Sequence, residues 1–434
     1  MLLRADEDIV RRDKDLPELR TLLDPEAFVE TIQPHVPGFE VESARVVYLK
    51  YKPGTNCLAA YKMSVGGREV DVYAKTFGPD AYVKIENAAK RKSVPDPLGA
   101  GRVVLEERDI SVAFFPNDDK LKQIGKLSEN GGKVIERLLP DRPELWGGEL
   151  RGLRYKPERR YVARISVDGE PRAVVKFYRE EDYWTTRRNA RAFSNAFKTT
   201  GPFRVTALIG GSKKHYAVAF EWQSGEPLGE AIADPAQRTD ALETAGAALA
   251  ELHAQPSGEL RRLTRKAEAE VLDSLVEPLV FNTPRLEGQI RSLARTLSEK
   301  LLREAPVWRP IHGDFYEDQV VLGDGTATLL DLDEAASGDP AADLGLFIAH
   351  LEKEAMLGHV DRSVAASAAE SLLEGYRSWG PEMDSGKVRF YTAVGLFRLA
   401  PHPFRGREPE WPEGTEEILR RAEELLKTAF PISA

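Results

Sequence analysis

The chain of 434 residues contains a single cysteine, Cys57. That excludes an internal disulfide and any zinc site built on several cysteines. Cys57 falls in an apolar stretch and is expected as a half-buried strand residue rather than a reactive thiol. The seven histidines are scattered, and no two have the H-x-x-x-H spacing of a helical metal site. No apolar run approaches the roughly 18–20 residues needed to cross a bilayer. The opening MLLRADEDIVRRDKD is charged throughout and has no apolar core, so it is not a secretory signal. Basic residues are in deficit, 61 against 70 acidic, for a net charge of −9. Such a balance shows no nucleic-acid footprint. What remains is a cytoplasmic globular protein without membrane or nucleic-acid partners, long enough for two to four lobes. Its oligomeric state is not legible from these features.

Residues 308–345 carry the chemistry: WRPIHGDFYEDQVVLGDGTATLLDLDEAASGDPAADLG. Pro310 lacks an amide donor and biases Arg309 to extended geometry, so no helix continues here. Val320-Val321-Leu322 and Thr328-Leu329-Leu330 flank Gly323-Asp324-Gly325, the pattern of a small hairpin. A hairpin returns the residues before its first strand and after its second to one end. Asp314, Gln319 and Asp331 can therefore face one point. Two carboxylates and an amide oxygen are hard donors that suit Mg²⁺, with water and phosphate oxygens completing the shell.

The stretch resembles the catalytic core of the aminoglycoside phosphotransferase/choline kinase-like family, relatives of the protein kinases. That family shows HGD-x-x-x-x-N, then a metal-binding Asp before an apolar residue, then a G-D-P-x-x-D turn. The resemblance implies that Asp314 is the catalytic aspartate facing the acceptor hydroxyl. It also implies that Gln319 and Asp331 bind Mg²⁺ and that Asp343 anchors the catalytic loop. Gln319 departs from the usual Asn but keeps an amide oxygen, one methylene further out. Maltokinase-type members share this Gln. His312 is expected to brace the loop, and Asp333 has either an assisting or a structural role.

A second pattern is internal. Leu49-Lys50-Tyr51-Lys52-Pro53 returns as Leu153-Arg154-Tyr155-Lys156-Pro157. Each is followed by an apolar strand, a Gly-containing turn and a strand bearing a lysine, Lys75 in one copy and Lys176 in the other. The spacing predicts two three-stranded antiparallel meanders related by duplication. Residues 179–198 can form a helix, and Phe203–Leu208 and Tyr216–Phe220 read as two further strands. The stretch Glu221–Leu228 breaks the strand pattern. In kinase-like folds such a segment is the hinge, which implies nucleotide contacts at Glu221 and Gln223, with Lys176 on the phosphates. The expected helix glutamate partner of Lys176 is not evident, and Glu181 is the nearest choice. The loop Lys156–Arg160 occupies the place of the nucleotide-covering loop and contains no glycine.

Beyond the hinge, apolar residues recur at helical spacing. Leu242, Ala245, Leu249 and Leu252 form one stripe, ending at His253, which is expected as a surface or capping residue. Leu286, Ile290, Leu293, Leu297 and Leu301 form another. Helices are expected near 341–356, 361–378, 385–399 and 415–429, with the proline-rich 400–414 as a loop. Near the N-terminus, Asp24-Pro25-Glu26 opens a helix that buries Phe28 and Ile32, while residues 1–23 are expected to be frayed or loosely helical.

The expected fold is α+β and bilobal, protein-kinase-like, with an antiparallel β N-lobe, a helical C-lobe and an extra N-lobe-like cap. The divisions are an extension at 1–23, a cap with its linker at 24–150, an N-lobe at 151–225 and a C-lobe at 226–434. The expected activity is an ATP- and Mg²⁺-dependent phosphotransfer to a small-molecule hydroxyl. A sugar or amino sugar is the first expectation, and aminoglycosides and choline-like compounds are the others. Two readings of other classes stand beside it. A kinase-like nucleotide-binding or regulatory protein would show no turnover. A metal-dependent hydrolase would place His312 on the metal.

Overall fold

The computed structural model describes residues 1–434 apart from 37, 80, 95, 97, 128–132, 197–202, 324 and 430–434. The Asn130-Gly131-Gly132 part of the expected linker therefore lies outside the described residues. The chain divides into two compact units. The first comprises Met1–Tyr183, Gly210–Ala219 and His402–Pro412, and the second Trp184–Ile209, Phe220–Pro401 and Glu413–Ala434.

The first unit opens with helices α1 (Glu7–Arg12), α2 (Leu19–Leu23) and α3 (Pro25–Ile32). Residues 1–23 are not frayed, which corrects the expectation. Ile9, Leu16, Leu19, Leu22 and Leu23 are all buried, and this apolar set outweighs the surrounding charges. Asp6 is fully buried and accepts from Trp411 Nε1 at 3.0 Å and from Arg407 Nη1 at 3.3 Å. Asp24 caps α3 by accepting from the Glu26 amide at 3.1 Å, and Phe28 stacks on Tyr61 with ring centroids 3.9 Å apart.

Two five-stranded sheets follow, with one winding. The first is built from β1 (Val41–Lys52), β2 (Asn56–Val65), β3 (Arg68–Phe77), β4 (Arg102–Leu105) and β5 (Ile110–Phe114), ordered β1-β2-β3-β5-β4. Helix α4 (Ala81–Ala89) follows its third strand, and α5 (Lys133–Leu138) leads towards the second sheet. The second sheet has β6 (Glu149–Lys156), β7 (Arg160–Val167) and β8 (Glu170–Tyr178), then α6 (Glu180–Ala196). After β9 (Phe203–Val205), which pairs elsewhere, β10 (Leu208–Ser212) and β11 (Ala217–Glu221) complete the order β6-β7-β8-β11-β10. Cross-strand register is the same in both copies. Lys50 pairs with Leu58 and Leu58 with Lys75; Arg154 pairs with Val162 and Val162 with Lys176. The hairpin tips agree as well: Gly54 has φ +63° and its counterpart Glu158 φ +56°. Cys57, on β2, is fully buried rather than half-buried, and burial raises its thiol pKa.

The expected single strand over 203–208 is two short ones. β9 pairs in parallel with a later strand at Ala327–Leu329, and only from Leu208 does the chain join the five-stranded sheet. The break lies at Thr206-Ala207, where the Thr206 amide donates to Leu329 O and Ala207 O accepts from the Glu221 amide.

The second unit is mainly helical. It contains β12 (Glu226–Pro227), α7 (Leu228–Ala233), α8 (Arg238–Ala254), α9 (Arg265–Asn282), α10 (Glu287–Arg303) and β13 (Arg309–Ile311). The hairpin β14 (Val320–Gly323) and β15 (Thr326–Leu329) precedes β16 (Ala336–Gly338), α11 (Ala341–Met356), α12 (Arg362–Trp379) and α13 (Ser385–Leu399). The proline-rich 400–414 segment is not all loop: α14 (His402–Arg405) lies within it, and α15 (Trp411–Ala429) starts there. The apolar stripes of α8 and α10 are buried in one core. Helices α8 and α12 pack backbone to backbone, since a Cβ on Gly246 would lie 2.1 Å from Leu372 O.

Candidate active site

The loop after β13 is held from below by α11. Asp343 is buried and accepts from the His312 amide at 2.6 Å and from the Gly313 amide at 2.8 Å. Gly313 is required for space and geometry: it has φ +82°, and a Cβ there would lie 2.4 Å from Glu334 O. Burial opposes the Asp343 charge. The His253 hydrogen bond, the His253 and His312 rings and the His312 amide outweigh it and hold the carboxyl below its ordinary range. His253 is a buried member of this network and not a surface cap. Its Nε2 lies 3.0 Å from Asp343 Oδ2 and its Nδ1 3.0 Å from the Tyr376 hydroxyl. The correction comes from α12, which supplies Tyr376 from a distant part of the chain.

His312 is fully buried, with Nε2 2.7 Å from Leu330 O, and it thereby ties the loop to the end of β15. That bond engages one ring nitrogen within the protein. Asp314 follows in a half-buried position, and its amide lies 3.4 Å from His312 Nδ1.

The hairpin has the expected form. Val320 pairs with Leu329, and the Leu330 amide donates to Gln319 O at 2.8 Å. This sets Gln319 opposite Leu330, the residue before Asp331, at the foot of the hairpin. Gln319 is buried, while Asp331 is half-buried with left-handed backbone, φ +52° and ψ +54°. A non-glycine residue held there stores about 1–3 kcal/mol, and such residues cluster at functional sites. An amide oxygen and a carboxylate are the hard donors Mg²⁺ takes when water and phosphate oxygens complete its shell, so this pair fits that ion.

The turn after Asp331 has a support the sequence did not reveal. Asn189 of α6 is buried and donates from Nδ2 to Asp333 O and Ala335 O, each at 2.9 Å. Arg265 was missed too. It pairs with Asp339 of the G-D-P turn at 2.6 Å, with Glu268 at 3.0 Å, and bonds the Tyr391 hydroxyl. Lys387 adds a second cation on Asp339 at 2.7 Å. Neither Asn189 nor Arg265 lies in a motif, and only the alternating burial of its helix could have marked it.

The segment after β11 is tied to the same hairpin. The Glu221 amide donates to Ala207 O at 2.9 Å, and Glu226 and Pro227 pair with Leu322 and Val321. Gln223 lies between these two attachments, half-buried. In the first unit, Lys176 is buried on β8, two residues before the strand's end. Glu181 is exposed and pairs with Arg179, which also holds Asp182 at 2.7 Å.

The model of the phosphotransferase enzyme family matches residues 158–385, just over half of the chain. The chain belongs to that family. It is a small-molecule kinase that uses a hydroxyl acceptor, and the family's segment contains the whole hairpin site. No curated protein matches the chain. Among solved structures, a thermostable mutant of aminoglycoside phosphotransferase APH(4)-Ia, in ternary complex with AMP-PNP and hygromycin B, is similar at 12% identity. The match covers 69% of this chain and 99% of that one, with a TM-score of 0.50. ADP-bound APH(2'')-Ib is similar at 16% identity over 64% of this chain and 94% of its own, with a TM-score of 0.44. The kinase-like fold, an antiparallel sheet followed by a helical lobe, agrees with the sequence expectation. Among the described residues no helix is long and apolar enough to cross a membrane.

Proposed function

We propose that this chain transfers the terminal phosphoryl group of ATP, with Mg²⁺, to a hydroxyl of a sugar or amino sugar. The observation that carries the reading is the hairpin foot, where Leu330, the residue before Asp331, bonds Gln319 O through its amide and the His312 ring of the Asp314 loop through its carbonyl. The AMP-PNP and hygromycin B of the APH(4)-Ia complex support the nucleotide and the polyhydroxylated class of acceptor.

Phosphoryl transfer asks for positioning and charge neutralisation more than covalent chemistry. Asp314 accepts a hydrogen bond from the acceptor hydroxyl and aims its oxygen at the γ-phosphorus. The new O–P bond forms as the bond to the β,γ-bridging oxygen breaks, and the hydroxyl proton passes to Asp314. Gln319 and Asp331 would hold Mg²⁺, which would neutralise phosphate charge when bound. Lys176 contacts the phosphates, and the Glu221–Gln223 backbone meets the adenine edge. His312 and Asp343 hold the Asp314 loop without touching the substrate. Gln319, the maltokinase-like feature, supports the sugar. We assign the kinase N-lobe to 151–225, the C-lobe to 226–434, and an N-lobe-like cap to 24–150 after the 1–23 extension, in a cytoplasmic protein.

The test is a screen of sugars, amino sugars, aminoglycosides and choline with ATP and Mg²⁺, read as ADP release and phosphorylated product. Turnover on a sugar or amino sugar, lost in Asp331→Ala, is the expected result. Undiminished Mg²⁺-dependent turnover in Asp331→Ala would place the metal elsewhere.

A further inference from the structure

A cluster of basic side chains lies on the first sheet of the first unit. Register puts Lys50, Leu58 and Lys75 in one cross-strand row and Lys52, Asn56 and Phe77 in the next. The rows are two residues apart along each strand, so they share a face. Helix α4 covers part of that face by burying Ala81 and Ile85 against Phe77. A pocket of about 370 Å³ remains between sheet and helix. Its walls carry six basic side chains, Lys50, Lys52, Lys75, Lys84, Arg91 and Lys120, against two acids, Asp119 and Glu158.

Both acids are already engaged. Asp119 pairs with Arg91 and, at 2.7 Å, with Arg102, while Glu158 meets Lys75 at 2.7 Å. Among the described residues, Lys50, Lys52, Lys84 and Lys120 have no carboxylate within ion-pair distance. Lys84 Nζ instead lies 5.5 Å from the Phe77 ring centroid. Burial, followed by the charges of Lys120, Arg179 and Lys75, pushes the Lys50 ammonium pKa down despite Glu158. Like charges gathered without counter-ions repel, and an anionic ligand reverses the sign of that interaction. The volume is that of a small-molecule site, too small for a polymer groove. Lysine ammonium groups converging from three elements suit several phosphate oxygens at once.

We infer that this pocket binds a small molecule carrying two or more phosphate groups. None of its lining residues is among those assigned to catalysis, and its occupancy does not depend on that assignment. It has a direct link to the second sheet. Glu158 sits at the tip of the β6–β7 hairpin, the counterpart of Gly54, and its carboxylate is the partner of Lys75. A phosphate arriving at Lys75 competes with Glu158, so occupancy bears on the conformation of that tip.

The test is titration calorimetry of the full chain with inorganic pyrophosphate, without nucleotide or Mg²⁺. Parent protein, Lys50→Gln/Lys84→Gln, Lys50→Arg/Lys84→Arg and Lys176→Ala are compared, with circular dichroism checking each fold. Binding to the parent, at least tenfold weaker in the glutamine pair, close to parental in the arginine pair and retained in Lys176→Ala, is the expected pattern. The proposal is overturned if the parent gives no binding at millimolar pyrophosphate, or if the glutamine pair binds as the parent does. It is equally overturned if Lys176→Ala alone abolishes binding.

Discussion

The carboxylate of Asp343 lies 2.6 Å from the backbone amide of His312, a contact that joins helix α11 to the first residue of the His-Gly-Asp loop. With the Gly313 amide and the His253 ring it completes a buried, fully used acceptor. Asp343→Asn turns one oxygen into a donor facing an amide. Breaking such a buried, charge-assisted set costs about 3 kcal/mol. Urea unfolding should show that loss, and turnover should fall with it. A midpoint unchanged from the parent would mean the loop is held by other contacts.

The same residue sets an acid limit. Its pKa is lowered from the ordinary 3.8. A depressed carboxyl contributes stability that is complete above its unfolded pKa and lost as pH falls through the lower folded value. The stability gap between the parent and Asp343→Asn should therefore be constant from neutral pH to about 5 and shrink below about 4. A gap that widens on acidification would contradict the sign.

Asn189 should govern the turn that follows Asp331, the proposed metal ligand. Asn189→Leu leaves the carbonyls of Asp333 and Ala335 without their donor, at a cost of about 1–3 kcal/mol. Since that turn follows Asp331, the Mg²⁺ concentration for half-maximal turnover should rise, while a saturating acceptor still binds. An unchanged Mg²⁺ requirement would make Asn189 a stabilising residue only.

Much of this was legible because it is local. The hairpin follows from two apolar runs around a glycine turn, and the repeat from Leu-x-Tyr-Lys-Pro recurring with matching strands. What failed is long-range. His253 reads as a helix-end residue until Tyr376 and Asp343 close on it from α12 and α11. Asn189 and Arg265 act on carbonyls and carboxylates far along the chain. Residues 1–23 looked loose because charges separate their leucines, yet Leu19, Leu22 and Leu23 are buried. Residues 203–208, FRVTAL, read as one continuous strand, and pattern alone does not show that the chain changes sheets at Thr206.

Helix packing in the second unit has a sharp test. Gly246→Ala would place its methyl 2.1 Å from Leu372 O, on backbone that cannot move aside alone. Overpacking of this kind costs about 1–3 kcal/mol, and thermal unfolding should show it. A parental melting temperature would mean α8 and α12 can separate freely.

The central claim is that Asp314 positions and deprotonates the acceptor hydroxyl, and Asp314→Asn tests it most directly. The substitution keeps the side chain's shape and removes its charge and most of its basicity. Nucleotide affinity by titration calorimetry and phosphoryl transfer to the acceptor found in the screen are measured on the same preparation. The predicted result is a fall of about 10²–10⁴ in transfer rate, with nucleotide affinity within a few-fold of the parent. Transfer at the parent rate would contradict the account.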